Sequence, residues 1–167
     1  MTAASVRRPP SWECFGRATG PLHEAIEHTP AHPEPLHILV SRRHRLADRC
    51  RVQMSDLAGA TAWMPGNARD SEWAGSYGFL NAGFAVDIDT SGPTFGMEHF
   101  VERISGSSDL RSFVDEKTRI PWHSDVAQIP ITEPTPVFPW SLPRRSQNGH
   151  PAPPPLITHI KSRHRPP

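Results

Sequence analysis

The chain has 167 residues, room for one ordinary domain or for a subdomain with extended ends. Its apolar content of 36% lies below the roughly 45–50% of a typical globular domain, so a core need not use the whole length. With 18 basic against 17 acidic residues and a formal charge of +1, electrostatics give no reason to expect nucleic acid or an anionic membrane as a direct partner.

The two cysteines, Cys14 and Cys50, form no C-x-x-C pair, which speaks for neither a disulfide framework nor a structural zinc site. The opening MTAASVRRPPSW has no apolar segment after its arginines, unlike a secretory signal. No apolar run approaches the ~18–20 residues needed to cross a bilayer. The expectation is a cytoplasmic protein with reduced thiols and no membrane partner.

Proline divides the chain. Of 20 prolines, six lie in residues 1–35, two (Pro65 and Pro93) in 36–120, and twelve from Pro121 onward. Proline lacks a backbone donor and breaks helix interiors, so regular structure is expected in the middle, with irregular or poorly ordered ends.

In chain order, Leu36–Val40 (LHILV) reads as a buried strand, with a helical turn near Ser55–Ala58 and a strand at Thr61–Met64. Trp73, Tyr77, Leu80 and Phe84 then recur at helical spacing, with Asp70 or Ser71 as the cap and Gly83 as the stop. Gly75 and Gly78 inside this stretch each lower helix propensity by ~1 kcal/mol, so the helix must rely on tertiary packing. Phe84–Asp89 alternates as a strand does. Ser91-Gly92-Pro93 is expected to start a second helix, carrying Met97, Phe100, Val101 and Ile104 on one face and ending at Gly106. Ser112–Asp115 and Val126–Ile131 read as further strands, the last at a sheet edge because of Pro130. Strands separated by helices of this length imply βαβ units and a mainly parallel α/β sheet.

In such a sheet, ligands bind beyond the carboxyl ends of the strands. Two strand-to-helix junctions are visible, Met64–Trp73 and Asp89–Phe95. Each offers small hydroxyl side chains and a helix start, which attracts carboxylate or phosphate. Any one such serine or threonine is more often a cap, and Trp73 is more often core. Two junctions on one rim are what turn caps into a pocket.

The run Glu34–Ala47 (EPLHILVSRRHRLA), followed by Asp56-Leu-Ala-Gly59, resembles the entry to the second subdomain of LysR-type effector-binding domains. Asp87–Phe95, Ser112–Trp122, Asp125–Ile131 and Pro134–Leu142 follow in the same order, over about residues 34–150. The resemblance implies a periplasmic-binding-protein-like (type 2) α/β fold with a small-molecule effector between two subdomains. Residues 1–35 would be the irregular remnant of a truncated first subdomain and crossover, 36–132 the second subdomain, and 133–167 the return crossover and a proline-rich tail. Pro153–Pro155 would leave Leu156–Lys161 as a short helical stub. By position, the effector wall would comprise Asp70, Ser71, Trp73, Thr90, Ser91 and Thr94. Nothing in residues 1–35 resembles a helix-turn-helix, so the reading is a truncated sensor of a small polar or anionic organic ligand that does not itself bind DNA. The alternatives are an interaction protein that forms mixed oligomers with a full-length regulator, or a remnant without function; besides the effector, the partners expected are a second copy of the chain in a homo-oligomer or a full-length LysR-type regulator.

Other chemistries have weaker support. His23, His28, His32 and His37 lie at spacings of five, four and five, without the framework a zinc site needs, so no metal and no cofactor are expected. The basic clusters Arg42–Arg45 and Lys161–Arg165 lack interleaved aromatics for base stacking. There is no nucleophile elbow and no phosphate loop. Asp87 and Asp89 share one strand face, where carboxylates more often solvate than catalyse. No catalytic residue is expected and the chain does not read as an enzyme.

Overall fold

The computed structural model describes residues 24–66, 72–93, 95–122, 125–147, 151 and 153–163, apart from a few side chains including those of His28 and Trp73. A long strand β1 (Ile26–Ser41) organises them, followed by β2 (Val52–Gln53), a 3-10 turn (Met54–Leu57), β3 (Thr61–Trp63), α1 (Glu72–Phe84), β4 (Asp87–Asp89) and α2 (Met97–Ser105). Then come β5 (Arg111–Asp115), β6 (Val126–Thr132), β7 (Val137–Arg145) and α3 (Pro153–Arg163).

The half of β1 from Leu36 to Ser41 is the centre of the sheet, between β5 on one side and β6 on the other, with β2 beyond β6. Its apolar residues point both ways because both faces are covered. Leu36, Ile38 and Val40 join Leu46, Met54, Tyr77, Leu80 and Val86 in a core under α1. Leu39 joins Trp63, Val101, Ile104, Val114 and Val126 in a second core under α2. A fully buried, near-continuous apolar strand is what a sheet covered on both faces requires.

The α/β layering is as expected, but the sheet is less parallel than the pattern suggested. β2–β6 and β3–β4 are parallel, whereas β1 runs antiparallel to β5, β6 and β7. The cause lies in the connections: β1 passes to β5 and β6 only after the intervening β3–α1–β4–α2 segment, so spacing alone does not show which strands become neighbours. β6 is also not an edge strand. Pro130 faces His37 at a position where its nitrogen turns away from β1, and β2 pairs with β6 only at Ile131 and Thr132. The second helix begins at Met97 rather than near Pro93, because Gly92 and Gly96 hold positive φ angles of 94° and 93° that are incompatible with a helical turn.

The proline-rich ends carry more regular structure than proline content implied. From Ile26 to Pro35, β1 pairs with β7 in an antiparallel ribbon, so the expected irregular segment 1–35 is strand from Ile26 onward. Leu36 N–H donates to Pro136 O at 2.8 Å and Ser146 N–H to Ala25 O at 2.8 Å, which sets the alternation of the ladder. Counting from these bonds, Pro30, Pro33, Pro35, Pro139 and Pro143 all fall at pairs whose backbone nitrogens face away from the partner strand. A missing N–H costs nothing there. Likewise α3 is a helix of 11 residues rather than a stub, with its three prolines in the first turn, where N–H groups have no intrahelical partner anyway.

Candidate ligand cleft at the carboxyl ends of the strands

The two junctions singled out in the sequence leave the sheet side by side. β3 and β4 are parallel neighbours with Trp63 opposite Asp89, and Met64 N–H donates to Asp89 O at 2.7 Å. The carboxyl end of β5 arrives at the same rim. Near the start of β5 the Ser112 hydroxyl donates to Trp63 O at 2.7 Å and so ties the β3–β4 pair to the main sheet.

Trp63 also fixes the second junction. Its ring stacks on Phe100 of α2 with centroids 5.7 Å apart, and its indole N–H donates to Ser91 O at 2.9 Å. Asp89 accepts the backbone N–H of Ser91 at 2.9 Å, and these bonds from Ser91 hold the Asp89 carboxyl below its usual range. A Cβ added at Gly92 would meet the Trp63 ring at 3.9 Å, an ordinary contact, so it is the positive φ of 94° that favours glycine there.

Beside the first junction lies an open cavity of about 330 Å³, lined by Leu36, Met64, Pro65, Tyr77, Gly96, Met97, Phe100, Phe113, Val114, Asp115 and Thr118; Gly96 and Met97 follow directly on the second junction. Its wall is mostly apolar, and its polar groups are few, as in small-molecule sites. Asp115 is the charged one. Burial, helped by the negative charge of Glu34, pushes its carboxyl up to about 6. Burial likewise raises the Tyr77 hydroxyl, with the Asp115 charge adding. Glu34 is already engaged: its carboxylate accepts the Trp140 indole N–H at 2.7 Å and the Lys117 backbone N–H at 3.3 Å.

A second recess, of about 460 Å³, lies on another part of the surface, with Arg45, Thr61, Asp89, Ser107, Asp109 and Arg111 among its lining. Burial lowers the Arg111 pKa, and the neighbouring Arg45 charge acts in the same direction. Nearby His44 is buried and its Nδ1 accepts the Leu46 N–H at 3.1 Å; burial first, then Arg111 and Arg45, lower its pKa.

Of the six residues expected at the effector wall, Thr90 and Ser91 are exposed on the loop after β4. Asp70, Ser71 and Thr94 lie outside the described residues, as does the side chain of Trp73, although its backbone belongs to α1. The cavity brings in Tyr77 and Asp115, which sequence reasoning had assigned to a core stripe and a strand end. The one available signal was a carboxylate closing an otherwise buried strand, Ser112-Phe-Val-Asp115. Among the described residues, no group of three or more His, Cys, Asp or Glu side chains is placed to hold a metal, and His28, His32 and His37 are strung along β1. No described helix is long and apolar enough to cross a membrane.

No family model and no curated protein matches the sequence. The fold does match solved structures. The PA01 protein of Pseudomonas aeruginosa, a LysR-family transcriptional regulator, superposes with a TM-score of 0.61 at 13% identity, covering 88% of this chain and 52% of that one. The CcmR regulatory domain of Synechocystis PCC6803, solved in complex with 2-PG, gives a TM-score of 0.55 at 16% identity over 86% of this chain and 68% of that one. The effector-binding domain of QuiR, in complex with shikimate, gives 0.57 at 17% identity over 83% of this chain and 65% of that one. The chain thus has the periplasmic-binding-protein-like α/β fold of LysR effector-binding domains and spans about half the length of the first of these regulators.

Proposed function

We propose that this chain is the effector-sensing part of a LysR-type transcriptional regulator, a cytoplasmic, non-catalytic module that binds a small organic molecule at the rim where β3, β4 and β5 end. One observation carries the reading. The parallel β3–β4 pair sends both strand-to-helix junctions off one edge, and an apolar cavity with few polar groups opens there, lined by Met64 and Pro65 of the first junction and by Gly96 and Met97 just after the second. That CcmR and QuiR, which share the fold, were solved with 2-PG and shikimate supports a small molecule as the occupant.

Asp70, Ser71, Trp73, Thr90, Ser91 and Thr94 form the outer rim in this proposal, and Tyr77, Phe100, Phe113 and Asp115 the floor and walls. The ligand acts by preferring one arrangement of the packed elements over another, which shifts their populations without any chemical step. Isothermal calorimetry and thermal unfolding against a panel of small organic acids, amines and alcohols test it. A stabilising ligand whose affinity falls at least tenfold in Phe100→Ala supports the reading. A cooperatively folded sample that no member of the panel stabilises refutes it.

A further inference from the structure

We infer that the cleft takes a small hydrophobic amine, its ammonium or N–H group against the Asp115 carboxylate and its apolar body between Met64, Met97, Phe100 and Phe113. This rests on the sensor reading and gives its ligand a chemical class. Asp115 Oδ1 is buried and has no partner among the described residues. Buried polar atoms are nearly always bonded, and Asp115 is also one of the residues lining the cavity, so its carboxylate carries an unmet demand for a donor that a ligand at its edge would relieve.

The surroundings decide which donor. None of the described side chains lining the cavity is cationic. The charge acting on Asp115 is that of another carboxylate, Glu34, whose two oxygens are occupied by Trp140 and Lys117. A carboxylate or phosphate ligand would meet two like charges there without a counter-ion, whereas an ammonium meets attraction from both. The remaining wall suits the rest of an amine. Phe100 and Phe113 bring aromatic rings to the lining, which suit a cation or an alkyl chain, and Met64 and Met97 bring polarisable, adaptable side chains. At about 330 Å³ the cavity holds a body of about ten non-hydrogen atoms, taking ~30 Å³ for each water-sized group.

The sequence suggests a small polar or anionic effector, the anionic option resting on helix starts at the two junctions. Of those junctions, residues 67–71 and 94 lie outside the described residues, and none of the described residues of the second, 89–93 and 95, lines the cavity. The described wall favours the opposite sign.

The test uses three probes of one shape on the full chain at pH 7.5: 2-phenylethylamine, 2-phenylethanol and 3-phenylpropanoate. By calorimetry the amine is expected to bind at least tenfold more tightly than the alcohol, with the carboxylate weakest. Asp115→Asn should remove most of that preference, and Asp109→Asn, in the separate recess, should leave it intact. Phe100→Ala should weaken amine and alcohol alike, because it removes wall rather than charge. Carboxylate binding equal to or tighter than amine binding, or an amine preference that survives Asp115→Asn, overturns the amine assignment while leaving the sensor reading in place. Silence from all three probes and from the wider panel overturns both.

Discussion

Two regions of this molecule solve the problem of burying a strand differently. From Leu36 to Ser41, β1 has a strand on either side and a helix over each face, and Ile38, Leu39 and Val40 are 1%, 0% and 0% exposed. From Ile26 to Pro35 the same strand pairs with β7 alone, and Glu27, Pro30 and Pro33 are exposed. The first region is held by packing, the second by a ladder of backbone bonds with a few contacts such as Phe138 against Trp140, whose ring centroids are 5.1 Å apart. One continuous strand therefore spans a rigid body and a thinly covered ribbon, and the two should answer mutation on different scales.

The sharpest contrast sets Ile38→Ala against Leu142→Ala. Ile38 is sealed between layers, so truncation leaves a cavity and should cost roughly 3–4 kcal/mol. Leu142, half-buried in the ribbon opposite Thr29, should cost about 1 kcal/mol or less. Urea denaturation measures both, and equal losses would mean that the ribbon carries a core of its own. Ser112→Ala comes next, at about 1–2 kcal/mol, because it leaves the buried Trp63 carbonyl without the hydroxyl that joins the β3–β4 pair to the sheet. Its effect should extend to the cleft, as weaker binding of any ligand that leans on Phe100.

Asp115 sits where the two regions meet, opposite Leu36 in the register of β5 and β1. Its carboxyl is raised in the folded state to about 6, so the folded chain holds that proton more tightly than the unfolded chain does. The favourable contribution is complete below about pH 4 and is lost as pH rises through about 6. Asp115→Asn should therefore be more stable than the parent at pH 7.5, by on the order of 1 kcal/mol once solvent screening of this half-buried group is allowed for. The gap should close towards pH 4. His44 works the other way, its lowered pKa removing stability as pH falls below about 6.5, but it is common to both proteins and cancels in the difference. A gap that does not change with pH would mean that Asp115 meets the same environment folded and unfolded.

How far the sequence could be read follows the same division. In the body, period and punctuation were enough to place Leu36–Val40, the turn at Met54–Leu57, both central helices apart from the start of the second, and the strands at β5 and β6. Two sealed layers impose strict apolar spacing, so pattern and structure agree. Strand partners were not legible, because whether β1 lies parallel or antiparallel to β5 depends on how the intervening elements close, not on local preference. In the ribbon, composition misled. Proline density reads as disorder, yet each proline there falls at a pair that needs no donor, a property of register that no count of residues contains. At the cleft, the strand ends were legible as a place. Asp115 was not, since a carboxylate closing a strand looks the same in sequence whether its oxygen meets water or an apolar wall.

Within the body, α1 is the element that depends most on its neighbours. Tyr77 and Leu80 are 4% and 0% exposed, but the glycines beside them weaken the helix intrinsically. Gly78 is exposed, and a Cβ added there meets nothing within 4 Å. Gly78→Ala should stabilise by about 0.5–1 kcal/mol in thermal or urea unfolding. No gain would mean that α1 is not helical at Gly78 in solution.

The smallest expected effect tests the ribbon most directly. Pro139 faces Pro33 at a pair whose nitrogens turn away from each other, so an N–H introduced there has no ladder bond to make and none to break. Pro139→Thr should change stability by only about 0.5 kcal/mol, in the destabilising direction, because the freer unfolded chain has more entropy to lose on folding. If the register were shifted by one residue, Pro139 would occupy a bonded position. Restoring its donor would then add a backbone hydrogen bond worth about 1 kcal/mol and reverse the sign. The direction of so small a change, read from urea midpoints at constant slope, thus reports which way the ribbon's backbone faces, something no substitution in the sealed body can do.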